Sequence, residues 1–190
     1  MRPIKTVLFT GKPGSGKGTQ AARVARDLDW KHVVSGDYFR TLAKRDDRVG
    51  SLVRAVYDSG SFLPSWFITE LFVRNALSVG PDEGIIFDGF GRSPRQAEEM
   101  QDVFSFLDRP YLVLNLEVHD DVARARIQER DILEKRTDSD TPEKIALRLA
   151  AYADQSRPAL RVFEKNNVLY RINAERSVED VHADVLSLLA

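Results

Sequence analysis

Apolar residues gather in short runs rich in β-branched side chains at residues 4–10, 31–34, 84–88, 111–116 and 168–172, and helical spacing fills the intervals between them. That alternation predicts an α/β fold, a parallel sheet with helices on both faces. Helix starts are marked by Ser93-Pro94-Arg95-Gln96 and Thr141-Pro142-Glu143, each with a capping hydroxyl before a proline at the first helical position, and by Ser177-Val178-Glu179-Asp180. Two stretches break the alternation. Residues 37–80 hold only helical patterns where a strand was due, and residues 131–141 form a polar connection between long helices; both are candidate flaps over a site. No repeat, low-complexity tract or flexible linker divides residues 1–190, so a single domain is expected.

Composition removes several function classes. With 28 Lys+Arg against 29 Asp+Glu the formal charge is −1, leaving no excess positive field for a nucleic-acid backbone. The chain has no cysteine, and its three histidines, His32, His119 and His182, lie far apart, so no structural zinc is expected. Apolar runs are far shorter than the ~18 residues of a membrane span. The first residues lack a signal-peptide pattern, and the chain reads as cytoplasmic. Arginine outnumbers lysine 20 to 8, which favours bidentate grip on phosphates.

The strongest local signal is Gly11-Lys12-Pro13-Gly14-Ser15-Gly16-Lys17-Gly18-Thr19, placed between a strand-like run and a helical one. Glycines let the backbone turn its N–H groups towards a polyphosphate, the following helix adds its positive end, and Lys17 reaches the β and γ phosphates. The pattern G-x-x-x-x-G-K is met, with Gly18 where Ser or Thr is usual and Thr19 after it. Asp88, closing the apolar run Gly84-Ile85-Ile86-Phe87, is placed to hold Mg2+ or its waters beside that loop. Gly89 follows it in place of the second acid that a water-activating ATPase commonly uses, so transfer to a bound acceptor is expected rather than hydrolysis.

Taken with Ser35-Gly36-Asp37-x-x-Arg40 and Asp88-Gly89-Phe90-x-Arg92, the loop resembles that of adenylate kinases and close nucleoside monophosphate kinases, including the Gly18-Thr19 order. The resemblance runs nearly end to end. It implies a P-loop NTPase-like, five-stranded parallel sheet flanked by helices, a helical monophosphate flap at about 35–80 and a short lid at about 131–141. It implies transfer of phosphate between ATP and AMP with Mg2+, in a monomer with no nucleic-acid or membrane partner. Carried over by position, Gly14, Ser15, Gly16, Lys17, Gly18 and Thr19 bind ATP, with Arg126, Arg130 and the backbone around Arg176. Ser35, Gly36, Arg40, Ser61, Phe62, Leu63, Gly89, Arg92 and Gln96 bind AMP, and Lys17, Arg92, Arg130, Arg136 and Arg148 close on the transferring phosphate. Arg136 and Arg148 also face the AMP side.

Two positions stay open on the residues alone. Gln96 offers a donor and an acceptor to an adenine edge, but Ser93 and Gln96 also spell a capping box. Arg126 either supports Arg130, four residues on, or contacts the adenine. The chain departs from the family at Gly91, where proline would rigidify the turn before Arg92, in the lid register around Arg136, and at Ser35, where adenine-specific members usually carry threonine. A uridylate/cytidylate kinase is the nearest alternative, and a non-catalytic nucleotide sensor comes from a different class. No catalytic base is needed, because the attacking phosphate oxygen is already largely ionised near neutral pH. What remains is alignment of the reactants and neutralisation of spreading charge.

Overall fold

The computed structural model describes residues 3–58, 63–134 and 141–189. Five strands form one parallel sheet: β1 (Thr6–Gly11), β2 (Lys31–Val34), β3 (Ile85–Asp88), β4 (Leu112–Glu117) and β5 (Leu169–Asn173), in the order β2-β3-β1-β4-β5. The order reverses beside β1, so the loop leaving that central strand opens into the crevice where α/β sheets of this kind bind ligands. All five expected runs became strands, displaced by at most two residues at either end.

Helices α1 (Lys17–Leu28), α6 (Asp120–Glu134), α7 (Pro142–Ala151) and α9 (Val178–Ser187) cover one face, and their Val24, Ile127, Leu149 and Val185 pack with Phe9, Ile86 and Leu114 of the strands. The other face takes α2 (Ser35–Ala43), α3 (Arg48–Asp58), α4 (Ser65–Leu77), α5 (Pro94–Phe106) and α8 (Arg157–Lys165). Its centre is an aromatic cluster in which Phe72 lies 4.9 Å from Phe87 and 5.2 Å from Phe104 by ring centroids, and Phe87 lies 5.3 Å from Phe90. Burying such a ring is worth about 1.5–3 kcal/mol. Phe90 is therefore an anchor, with Gly89 and Gly91 on either side of it.

The segment 37–80 is helical where it is described, as expected, and all three expected caps form: the hydroxyls of Ser93, Thr141 and Ser177 accept from the N–H groups of Gln96, Lys144 and Asp180. The polar connection starts later than expected. Residues 131–134 continue α6, since Ile132-Leu133-Glu134 contains no helix breaker, and residues 135–140 lie outside the described segments. Between α7 and α8 the helix widens into one π-helical turn, Tyr152–Ser156, before Pro158. Such turns are rare and occur often at functional sites.

Candidate functional site

The loop between β1 and α1 is shaped by glycine conformations that other residues rarely adopt: Gly14 has φ +79 and Gly16 has φ +88. A Cβ on Gly14 would lie 2.4 Å from the Ala123 carbonyl oxygen, so the loop also packs directly against the first turns of α6. The Ser15 N–H donates to the Lys12 carbonyl at 3.1 Å, which closes the turn. Helix α1 then opens at Lys17 with no side-chain cap. Its first N–H groups and its positive end are thus left for an anion.

Lys17 is where the charges converge. Its ammonium donates a long hydrogen bond of 3.5 Å to the Lys12 carbonyl. Its pKa is lowered to about 8, first by loss of hydration and then by the positive charges of Arg92, Arg148 and Arg130, against the opposing pull of Asp88. These five groups come from α1, the turn after β3, α7, α6 and the end of β3, so the fold concentrates positive charge at one point. Such a concentration costs stability unless an anion arrives. Asp88 is buried at the carboxyl end of β3, and its Oδ2 lies 3.3 Å from where a Cβ on Gly18 would be. Glycine at 18 therefore lets the first turn of α1 approach the carboxylate closely.

On the opposite side, Gly89 has φ +84, and a Cβ there would fall 2.5 Å from both Arg92 Nη2 and Ser35 Oγ. The buried Ser35 hydroxyl donates to the Gly89 carbonyl at 2.9 Å, joining the start of α2 to this turn. Gly91 has φ +63, a conformation closed to proline, whose ring fixes φ near −65°. The turn is held without proline. The turn is packed against Phe163 and Leu8, and the Arg92 N–H donates to Gln96 Oε1 at 2.8 Å.

A cleft of about 170 Å3 joins the two sides, and its walls include Gly11, Pro13, Lys17, Ser35, Gly36, Leu63, Gly89, Arg92 and Arg148. Phe9, Thr10, Phe39, Ile68, Phe90, Ala151, Tyr152 and Ser156 complete it; none of them was given a site role from sequence, although Phe90 lies within the Asp88-Gly89-Phe90-x-Arg92 motif. Tyr152 had a signal, since it lies four residues after Arg148 and hence on the same helical face. Gln96 does not line the cleft. Its own N–H is capped by Ser93, so that half of the capping box forms, while its side-chain oxygen, the atom expected to meet an adenine amino group, accepts from the Arg92 N–H and not from that of Ser93. Arg40 folds back over Gly36 and pairs with Asp37 instead of lining the cleft. Arg126 donates to the Ala174 carbonyl at 2.9 Å, tying α6 to the loop before α9, where Arg176 pairs with Asp184. Ser61, Phe62 and Arg136 lie outside the described residues.

Residues 9–168 match the family described as adenylate kinase. Among curated proteins, adenylate kinases from Thermus thermophilus are 34% identical over 186 residues, covering 97% of both chains. The adenylate kinase of Synechococcus sp. (strain JA-2-3B'a(2-13)) is 33% identical over 184 residues, 96% of this chain and 95% of that one. The adenylate kinase of Porphyromonas gingivalis is 31% identical over 92% of this chain and 90% of its own.

Proposed function

The chain belongs to the adenylate kinase family, a family of nucleoside monophosphate kinases, and from that premise we propose how its own residues carry out reversible phosphoryl transfer between ATP and AMP. The observation that carries the proposal is the convergence of Arg92, Arg130, Arg148 and Asp88 on Lys17 at the mouth of the glycine loop. Backbone N–H groups of residues 14–19 and the open end of α1 receive the donor's phosphates, with Lys17 on the β and γ oxygens. Arg92 binds the acceptor phosphate, assisted by Arg40 once it exchanges Asp37 for the nucleotide. Arg130 and Arg148, with Arg136, neutralise the charge that spreads over the transferring group. Arg126 and the backbone near Arg176 border the donor's base, and Ser35, Gly36, Ser61, Phe62, Leu63 and Gly89 border the acceptor.

Asp88, among the described residues the one buried carboxylate beside the loop, fits a hydrated Mg2+ brought in with ATP, since that ion keeps several waters and needs few protein oxygens. Among the described residues no group of three His, Cys, Asp or Glu side chains could cage a metal of its own. The ion supplies charge neutralisation between the phosphates. The segments at about 35–80 and 131–141 act as flap and lid around a core within a single domain, excluding water during transfer. Among the described residues no helix is long and apolar enough to cross a membrane. A cytoplasmic monomer that binds nucleotides and no nucleic acid completes the reading.

The direct test is ADP formation from Mg-ATP with AMP, UMP, CMP, GMP or dTMP supplied separately, beside a control without acceptor. Turnover with AMP at least tenfold above every other monophosphate is expected. Preference for UMP or CMP would keep the mechanism and overturn the choice of base. ATP binding without any transfer would make the protein a sensor.

A further inference from the structure

Gly91 occupies a gap with no spare room. It is buried, and a Cβ on it would lie 3.0 Å from Cζ of Phe163 and 3.2 Å from Cδ2 of Leu8. Neither neighbour can withdraw easily, because Leu8 in β1 and Phe163 in α8 are both fully buried in the apolar cluster that also holds Phe90. Phe90 fixes the turn from one side of Gly91, and the hydrogen bond from the Arg92 N–H to Gln96 fixes it from the other. Helix α8 is itself continuous, through the π-helical turn, with α7, which carries Arg148 into the same cleft.

From this packing we propose that Gly91 is a positioning residue for phosphoryl transfer: wedged between Phe163 and Leu8 with a left-handed backbone, it sets the direction from which Arg92 enters the cleft and couples that turn to the helix run bearing Arg148. The proposal rests on the reading of Arg92 as the acceptor-phosphate ligand. A side chain at 91 must either drive φ out of the left-handed region or push Phe163 outward. Either response moves the Arg92 guanidinium, and a displacement of about 1 Å is enough to cost about 100-fold where two reactants must be aligned. The donor loop has its own supports on Ala123 and Lys12, so the damage falls on the acceptor.

Steady-state kinetics of the full-length protein, varying AMP and ATP separately, test this with Gly91→Ala, Phe163→Leu, the double variant and Arg92→Ala. Gly91→Ala is expected to raise KM for AMP about tenfold or more and lower kcat, with KM for ATP changed less than about twofold. The double variant recovers part of that loss, because leucine gives the new methyl group its space; a purely global destabilisation would compound instead. Should Gly91→Ala not fold, Phe163→Leu carries the test alone, with KM for AMP raised about threefold and KM for ATP unchanged. Unaltered AMP kinetics in these variants, or KM for AMP and ATP rising together, overturns the proposal. Arg92→Ala impaired beside a normal Gly91→Ala defeats the positioning role only, whereas a normal Arg92→Ala defeats the acceptor reading beneath it.

Discussion

The two sides of the cleft are built in different ways. The donor side is one contiguous segment, β1, a glycine loop and α1, whose shape follows from local backbone conformations and from Lys17 at the first position of a helix. The acceptor side is assembled from parts distant in sequence: Ser35 of α2 bonds Gly89, Gln96 of α5 bonds Arg92, and Phe163 of α8 packs on Gly91. A contiguous site tolerates change elsewhere in the molecule and fails when its own residues change. An assembled site loses function by degrees as each support is removed. The comparison is broken most sharply by changing Lys17 alone.

Lys17→Met is expected to lower kcat by about 100- to 1,000-fold, the scale for removing a preorganised charge that stabilises a transition state. Stability should move the other way. The folded pKa of Lys17, about 8, lies below its ordinary value of 10.5, so between those two values the unfolded chain binds more protons and stability rises with pH. Below about pH 8 the partly buried charge is a continuing cost of a few kcal/mol, which methionine removes. Urea unfolding at pH 7 should therefore find the inactive variant more stable than the parent, and an equal or lower stability would remove the argument that the positive cluster is held in tension.

Binding follows the same titration. An anionic triphosphate favours the charged ammonium, so ATP affinity is expected to fall about tenfold per pH unit once the pH passes the Lys17 value of about 8, with a proton taken up on binding. Calorimetry in two buffers of different ionisation enthalpy measures that uptake. In Lys17→Met the uptake should vanish. AMP affinity, resting on arginines that stay charged throughout this range, should change less than about twofold.

On the acceptor side one support is the Ser35 hydroxyl. Ser35→Ala leaves the Gly89 carbonyl without its donor in a buried place, at a cost of about 1–3 kcal/mol. The expected kinetic result is a three- to tenfold rise in KM for AMP with little change for ATP. Equal effects on both substrates would mean that the two sides are not independently built.

The same division explains what the sequence made legible. Glycine spacing, a strand before and a helix after are local features, so the phosphate loop, Lys17 and Asp88 could be read directly, as could all five strands and the three capped helix starts. Arg92, Arg130 and Arg148 were identified through resemblance, and their convergence on one ammonium depends on the sheet order, which no local pattern encodes. What Gly91 does to its turn was open for the same reason. Absence of proline left the restraint on the turn undetermined, since that restraint comes from Phe163, 72 positions further along the chain. Phe39 carries no local mark, because aromatic residues at helical spacing ordinarily serve a core, and only the folded cleft distinguishes a wall from a core.

The smallest expected effect separates the sides within a single type of interaction. Ser93 and Ser177 cap α5 and α9 in the same manner, each hydroxyl accepting the N–H three residues on, at 3.3 and 3.1 Å. Alanine at either position should lower stability by about 1 kcal/mol, since each removal orphans one helix-end donor. Their consequences for function should differ. Ser93 directly follows Arg92 and fixes the first turn of α5, from which Gln96 reaches the Arg92 N–H, so Ser93→Ala also loosens the acceptor turn. Ser177 sits at the start of α9, away from that turn, where its own hydroxyl also donates to Asp180. Paired chemical denaturation and AMP kinetics should thus give two equal stability losses and one twofold to threefold rise in KM for AMP, in Ser93→Ala alone. A rise in both variants would trace AMP affinity to overall stability, and a rise in neither would show that Gln96 holds Arg92 without help from the cap.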